Sequence, residues 1–170
     1  MQELTRLDAM AQAELVRRGE VSPRELVDAA IARIEKTNPA VHAVVSTAFD
    51  RARDAAVALE AEAKRGATRP FLGVPFLMKD IGGQEAGAPY HMGMKCLKRA
   101  QWTEAASSHF TEKLYAAGFV SLGRTNTPEL ALLPTTEPEA YGATANPWNL
   151  GHSAGGSSGG AAAAVAAGMV

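Results

Sequence analysis

Residues 1–66 place hydrophobic side chains at helical spacing between polar positions. The clearest signal is the group Ser22, Pro23 and Glu25, which matches a capping box with a proline in the first turn of a helix. Apolar residues follow three and four positions apart, as on the buried face of an amphipathic helix, at Leu26, Val27, Ala30, Ile31 and Ile34. This part of the chain is therefore predicted to be mostly helical.

Two more helices are predicted, one on each side of that helix. Asp8 is expected to cap the first and Asp50 the third, which ends at Gly66. The Asn38–Pro39 pair predicts the end of the middle helix, because a residue before proline is biased away from helical backbone. Residues 41–45 contain three valines and are expected to be extended.

The pattern changes after residue 70. The continuous apolar run 76–78 predicts a buried strand that presents Lys79 at its carboxyl end. Residues 82–103 are rich in glycine and predict a long loop, and loops of this length often carry function. A helix over 104–117 and a strand over 119–122 are predicted next. This order of elements indicates a sheet covered by helices, an α/β arrangement.

The last part of the chain has the most unusual composition. Residues 135–154 are predicted to form a loop, residues 155–160 have the sequence GGSSGG, and an alanine-rich helix is predicted after them. The glycines allow close backbone approach, and the start of the helix offers free N–H groups and the positive end of its dipole. A serine there suits carbonyl chemistry or anion binding. Residues 71–170 are thus predicted to hold both the sheet and the functional site.

Composition excludes several classes of function. The 17 lysines and arginines nearly balance 18 aspartates and glutamates, so no basic surface for nucleic acid is predicted. The single cysteine, Cys96, excludes an internal disulfide framework and suits a reducing compartment. No apolar run reaches ~18 residues, and the polar N-terminus is unlike a secretory signal. A cytoplasmic protein with no membrane or nucleic-acid partner is expected.

The GGSSGG segment by itself allows three interpretations. It could be a flexible connector, an anion-binding loop or a site of nucleophilic catalysis. A Walker A phosphate loop would have lysine at the position of Ala161. Residues 155–159 match the G-x-S-x-G pattern, but no strand is predicted before them. An α/β-hydrolase triad also needs a later histidine, and all four histidines precede Ser157, at His42, His91, His109 and His152.

Lys79 is the second candidate for chemistry. It could be an ordinary surface lysine at a strand end. Its position between an apolar strand and a glycine-rich loop also allows partial burial, which lowers the pKa of a lysine and makes the neutral amine available as a base. A Ser–Lys pair can activate a hydroxyl without histidine. Asp80 is expected to bond loop amides, and the spacing of the histidines predicts no metal site.

Four segments together resemble the amidase signature family. They are residues 73–80 (GVPFLMKD), 123–129 (GRTNTPE), 146–149 (NPWN) and 155–160, in this order. Residues 15–26 (LVRRGEVSPREL) are also similar to the N-terminal region of that family, so the resemblance spans nearly the whole chain. The resemblance implies an α/β fold with a mixed central sheet flanked by helices. It further implies that residues 1–170 are the N-terminal portion of a single amidase domain, truncated after Val170.

The site implied by the resemblance is a Ser–cis-Ser–Lys triad. Lys79 and Ser157 match its catalytic lysine and bridging serine, the Gly156–Ser157 peptide bond is expected to be cis, and Ser158 and Gly156 support them. Neutral Lys79 would take a proton from Ser157, which takes one from the attacking serine, without metal or cofactor. That attacking serine is expected beyond Val170, so the 170-residue chain is expected to be inactive.

The resemblance also bears on the substrate. Residues 135–142 and 93–95 are most similar to the branch of 6-aminohexanoate-cyclic-dimer hydrolases. A small-molecule amide is the expected substrate, with Thr135, Thr136 and Gly155 expected to contact it, and a homodimer is one expected assembly. Two alternatives stay open: an amidotransferase-type subunit that supplies ammonia, and a non-catalytic relic that binds an anion.

Overall fold

The computed structural model describes residue 4 and residues 7–170. The helices α1 to α6 are Ala9–Arg17, Pro23–Val41, Phe49–Lys64, Lys95–Arg99, His109–Ala116 and Gly159–Ala166. The strands β1 to β5 are Val44–Thr47, Pro75–Lys79, Val120–Thr125, Ala145–Asn146 and Asn149–Ser153. Within this described part, none of the helices is both long and apolar enough to cross a membrane.

The central sheet has three strands in the order β1-β3-β2. Strand β1 is antiparallel to β3, whereas β2 is parallel to β3 and places Lys79 beside Thr125. The sheet is therefore mixed, and the predicted α/β class is confirmed. The predicted strand at 76–78 is confirmed as β2, with Lys79 as its last residue. Strands β4 and β5 form a separate antiparallel hairpin.

Helix α2 packs against α3, α6 and the central sheet. Its capping box is formed: the Glu25 N–H donates to Ser22 Oγ over 3.2 Å, and the Ser22 N–H donates to Glu25 Oε2 over 2.8 Å. The predicted apolar stripe of this helix is buried. It shares one core with residues of α3, β3 and α6, namely Ala52, Ala56, Leu59, Val120, Leu122, Ala163 and Ala164.

The close packing of α6 against the sheet sets the position of the residues before it. A side chain on Gly160, in the first turn of α6, would collide with the backbone N and O of Asn126 and would lie 2.9 Å from the Ala43 carbonyl oxygen. Because only glycine fits, the helix start lies directly against the end of β3. Ser157 and Ser158 immediately precede this helix.

The predicted end of the middle helix was wrong. Helix α2 continues through Pro39 to Val41. The Asn38 side chain holds the chain just beyond this end, because it accepts from the N–H groups of Ala43 and Val44, each over 2.8 Å, and donates to the Val44 carbonyl over 2.9 Å. The strand predicted over residues 41–45 consequently starts only at Val44.

Two other predicted starts differ from the structure. Helix α3 begins at Phe49, so Asp50 lies inside its first turn and is not the cap. The helix predicted over 104–117 begins at His109, where Ser108 Oγ accepts from the Thr111 N–H over 3.3 Å. The residues before Ser108 bond to the long loop instead of continuing the helix. The hairpin β4–β5 was missed within the predicted loop over 135–154.

Candidate active site

Lys79 and Ser157 are 78 residues apart in sequence and adjacent in the fold. Lys79 Nζ lies 2.8 Å from Ser157 Oγ and 2.9 Å from Ser158 Oγ. Strand β2 supplies the lysine and the residues before α6 supply both serines. The contact therefore depends on the packing of α6 against the carboxyl end of the parallel strand pair.

The surroundings of Lys79 make its amine easier to deprotonate than that of an exposed lysine. The side chain is half-buried, and burial lowers the pKa of the Lys79 amine because desolvation destabilises the charged ammonium. In the described residues burial is the one cause of this lowered pKa, and Nζ contacts serine hydroxyls. A neutral amine at hydrogen-bond distance from a hydroxyl can accept its proton.

The backbone next to Ser157 packs so closely that it requires glycine. The Gly156–Ser157 peptide bond is cis. A side chain on Gly156 would lie 2.6 Å from backbone atoms of Thr135, and one on Gly159 would lie 2.8 Å from Thr136 Cβ. The GGSSGG segment is therefore packed against residues 135–136, and this close packing is inconsistent with a flexible connector.

The three residues expected to contact substrate lie around this segment. Thr135 and Gly155 are half-buried, and the backbone of Thr135 packs against Gly156. Thr136 has no exposed surface. Its Oγ1 donates to the Gly155 carbonyl over 2.8 Å and accepts from the Gly159 N–H over 3.1 Å. The Thr136 hydroxyl is thus bonded to backbone atoms on both sides of the two serines.

Asp80 fixes the start of the long loop, as expected from the sequence. Its carboxylate oxygens accept from the N–H groups of His91 and Gly93 over 3.0 and 3.1 Å. Burial raises the pKa of the Asp80 carboxyl, and these two backbone donors oppose that rise. Tyr141, outside the loop, also holds two residues of it. Its hydroxyl contacts His91 Nδ1, and the Lys98 ammonium lies 4.0 Å from the centre of its ring.

The sequence did not indicate the role of Arg124. This guanidinium is 2% exposed, and its Nη1 donates to the Lys79 carbonyl over 3.1 Å and to the Gly83 carbonyl over 2.9 Å. It therefore supports the backbone at the residue that carries the amine. Its pKa is lowered by burial.

Thr127 was also missed as a residue of the site. It is fully buried, and its Oγ1 donates to the Ser157 carbonyl over 3.1 Å. One signal was available, since Thr127 lies five positions after the predicted strand 119–122 and Lys79 directly follows the run 76–78. Parallel strands end at the same edge of a sheet, so the residues after both runs were candidates for one site.

The described ranges contain no group of three or more histidine, cysteine, aspartate or glutamate residues placed to hold a metal ion. The chemistry that the arrangement supports directly is proton transfer between an amine and a hydroxyl.

Comparison with known proteins agrees with the sequence resemblance. A family model described as Amidase matches residues 25–170. The 6-aminohexanoate-cyclic-dimer hydrolase of Paenarthrobacter ureafaciens is 48% identical over 162 residues, which are 95% of this chain and 31% of that protein. One subunit of the glutamyl-tRNA(Gln) amidotransferase of Synechococcus sp. (strain WH7803) is 45% identical over 151 residues, 88% of this chain and 30% of that one.

Comparison of the fold with solved structures finds a relative of the same kind. The solved structure of a 6-aminohexanoate cyclic dimer hydrolase complexed with substrate superposes with a TM-score of 0.88 and 46% identity, over 98% of this chain and 33% of that one. The chain thus spans about one third of the length of the relatives it matches. The match covers most of the residues, including all four segments of the predicted resemblance. The chain belongs to the amidase family.

Proposed function

We propose that the protein takes part in hydrolysis of a carboxylic amide through a Ser–cis-Ser–Lys triad. The single observation that supports this most strongly is the 2.8 Å separation of Lys79 Nζ and Ser157 Oγ. Neutral Lys79 accepts the Ser157 proton while Ser157 accepts the proton of an attacking serine. That serine forms a bond to the amide carbonyl, the proton returns through Ser157 to the leaving amine, and water then releases the acid.

The two serines have different roles in this proposal. Ser157 passes the proton, and Ser158, with its Oγ 2.9 Å from Lys79 Nζ, fixes the direction of the amine. Gly156 allows the close approach of the backbone to residue 135. The attacking hydroxyl is a third residue, which the family resemblance places outside residues 1–170. We therefore propose that residues 1–170 alone hydrolyse no amide.

The proposed substrate is a small-molecule amide. A relative that is 48% identical is named for hydrolysis of the 6-aminohexanoate cyclic dimer, a small amide. Thr135 and Gly155 are the residues proposed to lie near the substrate, since both are half-buried beside the serines. A cytoplasmic location, a homodimer and the lack of a nucleic-acid partner stay predictions.

A chimera tests the proposal. Residues 1–170 replace the matching segment of the Paenarthrobacter ureafaciens hydrolase, and release of amine from the 6-aminohexanoate cyclic dimer is measured. Lys79→Ala and Ser157→Ala should each lower kcat by about 10²–10⁴-fold, as expected when a general acid–base group is lost. Lys64→Ala is the matched control, because that side chain is 75% exposed in α3 and should leave kcat unchanged.

The proposal is contradicted by a folded chimera that has no activity, or by one that keeps its activity in Lys79→Ala. The statement about the third residue would be contradicted if the 170-residue chain alone hydrolysed an amide and Lys79→Ala abolished that activity.

The amidotransferase alternative is favoured by one observation, the 45% identity to the glutamyl-tRNA(Gln) amidotransferase chain of Synechococcus. In that function the same site would release ammonia from an amide and deliver it to a partner subunit. Co-purification of a stable partner, with ammonia release that depends on it, would favour this alternative. Amide hydrolysis by the unpartnered protein would favour the amidase.

A further inference from the structure

Two buried threonines hold the segment that carries the serines. The Thr127 hydroxyl donates to the Ser157 carbonyl over 3.1 Å. The Thr136 hydroxyl bonds to Gly155 and Gly159 over 2.8 and 3.1 Å, so it contacts the segment before and after the two serines. We propose that Thr127 and Thr136 are positioning residues that keep Ser157 Oγ within hydrogen-bond distance of Lys79 Nζ. The importance of this distance rests on the proposed function.

Thr136, and not Ser158, provides the side-chain hydrogen bond at the start of α6. Ser158 occupies the N-cap position of α6, where a serine hydroxyl ordinarily accepts from the first turn, yet it makes no such bond. Its hydroxyl lies 2.9 Å from Lys79 Nζ instead. Thr136 Oγ1 accepts from the Gly159 N–H, the first N–H of α6, which has no partner inside the helix. The threonine thus supports the helix start while Ser158 is engaged with the amine.

Both threonines lie in backbone that buried hydrogen bonds hold in place. Thr127 is separated from β3 only by Asn126, which is fully buried, with its amide donating to the Gly142 carbonyl over 2.9 Å and to Thr144 Oγ1 over 3.0 Å. The Thr144 N–H donates in turn to the Thr136 carbonyl over 2.9 Å. One network therefore fixes both threonines relative to the end of the strand.

The threonines act through the segment and not on a substrate. Each has 0% exposed surface and each hydroxyl is engaged with backbone atoms of residues 155–159. Valine has the same shape without the hydroxyl, whereas serine keeps the hydroxyl without the methyl group. Thr→Val and Thr→Ser variants at each position therefore separate the hydrogen bonds from the packing.

Amide hydrogen exchange on the unmodified 170-residue chain is the first test. In the described part of the chain, the Gly156 N–H has no hydrogen-bond partner, whereas the Gly159 N–H bonds to Thr136. We expect Gly159 to exchange far more slowly than Gly156, and about tenfold faster in Thr136→Val, which corresponds to loss of about one net hydrogen bond. Equal exchange of the two glycines in the unmodified chain would overturn the proposal without any variant.

The second test measures the amine itself. The chain is acetylated with acetic anhydride over a pH series, and mass spectrometry gives the titration midpoint of Lys79 with Lys64 as the exposed control. In Thr127→Val and Thr136→Val the Lys79 midpoint should rise toward the ordinary lysine value, because a released segment buries the amine less. The Thr→Ser variants should keep the original midpoint.

A folded Thr→Val variant with an unchanged Lys79 midpoint, or a Thr→Ser variant that shifts as far as Thr→Val, would refute the positioning role. A variant that does not fold leaves the decision to the exchange rates of the unmodified chain. Neither measurement requires catalysis. Failure of the proposed amidase activity would appear only in the chimera assay, so the two failures are distinguishable.

Discussion

The substitution Gly160→Ala sets two physical effects of opposite sign against each other. Gly160 lies in the first turn of α6, and its backbone faces the backbone of Asn126 at the end of β3. Helix propensity alone predicts that alanine stabilises the protein, by about 1 kcal/mol in a helix interior. Tertiary packing predicts the reverse, because the new methyl group would collide with Asn126 N and O and lie 2.9 Å from the Ala43 carbonyl oxygen.

The packing effect should be the larger of the two. All three contacts are backbone atoms, and none can turn away as a side chain would. Asn126 is itself held by its N–H bond to the Ala43 carbonyl over 2.8 Å. Inserting a methylene-sized group into such a core costs about 1–3 kcal/mol, with rigid surroundings at the upper end. After the propensity gain is subtracted, we expect a net loss of about 2 kcal/mol in the free energy of unfolding.

Urea unfolding of the 170-residue chain, followed by circular dichroism, measures this loss as a lower midpoint at an unchanged slope. Ala162→Gly is the matched control, because residue 162 is an exposed position of the same helix and only propensity acts there. It should lose about 1 kcal/mol. If Gly160→Ala unfolds at the same urea concentration as the unmodified chain, or a higher one, the expected collision of the new methyl group with Asn126 and Ala43 does not outweigh the gain in helix propensity.

Amide hydrolysis by the chimera should rise with pH as Lys79 loses its proton, with a midpoint below the ordinary lysine value because burial lowers its pKa; a pH–rate profile without an ascending limb would argue against a lysine base. Arg124→Met removes a part-buried bond to the Lys79 carbonyl and a buried bond to the Gly83 carbonyl, and should destabilise the chain by about 2–4 kcal/mol in urea unfolding. Ser22→Ala should cost about 1 kcal/mol through loss of the α2 cap, and Ser22→Gly only a few tenths; equal losses would show that the cap is not the cause.

Much of the fold follows from local signals in the chain. The capping box at Ser22 and Glu25 and the apolar stripe after it predict α2, because caps and amphipathic spacing act within a few residues. The apolar run before Lys79 predicts β2 for the same reason. The errors fall where distant bonds compete with local preference. Asn38 bonds forward to Val44 beyond the predicted stop, and the residues before Ser108 bond to the long loop instead of forming a helix turn.

The candidate site likewise has features that the sequence predicts and features that depend on contacts between distant residues. Residue type and motif order are properties of the chain, so the sequence alone was enough to single out Lys79, Ser157 and the glycines around it. Their contact could not be derived in that way, since it joins positions 78 residues apart through the pairing of β2 with β3 and the seating of α6. Thr127 and Thr136 carry no chemical signature, because a threonine hydroxyl acquires its role from the backbone atom it meets. Those backbone partners, 30 and 19 residues away, are set by how the packed elements meet in space.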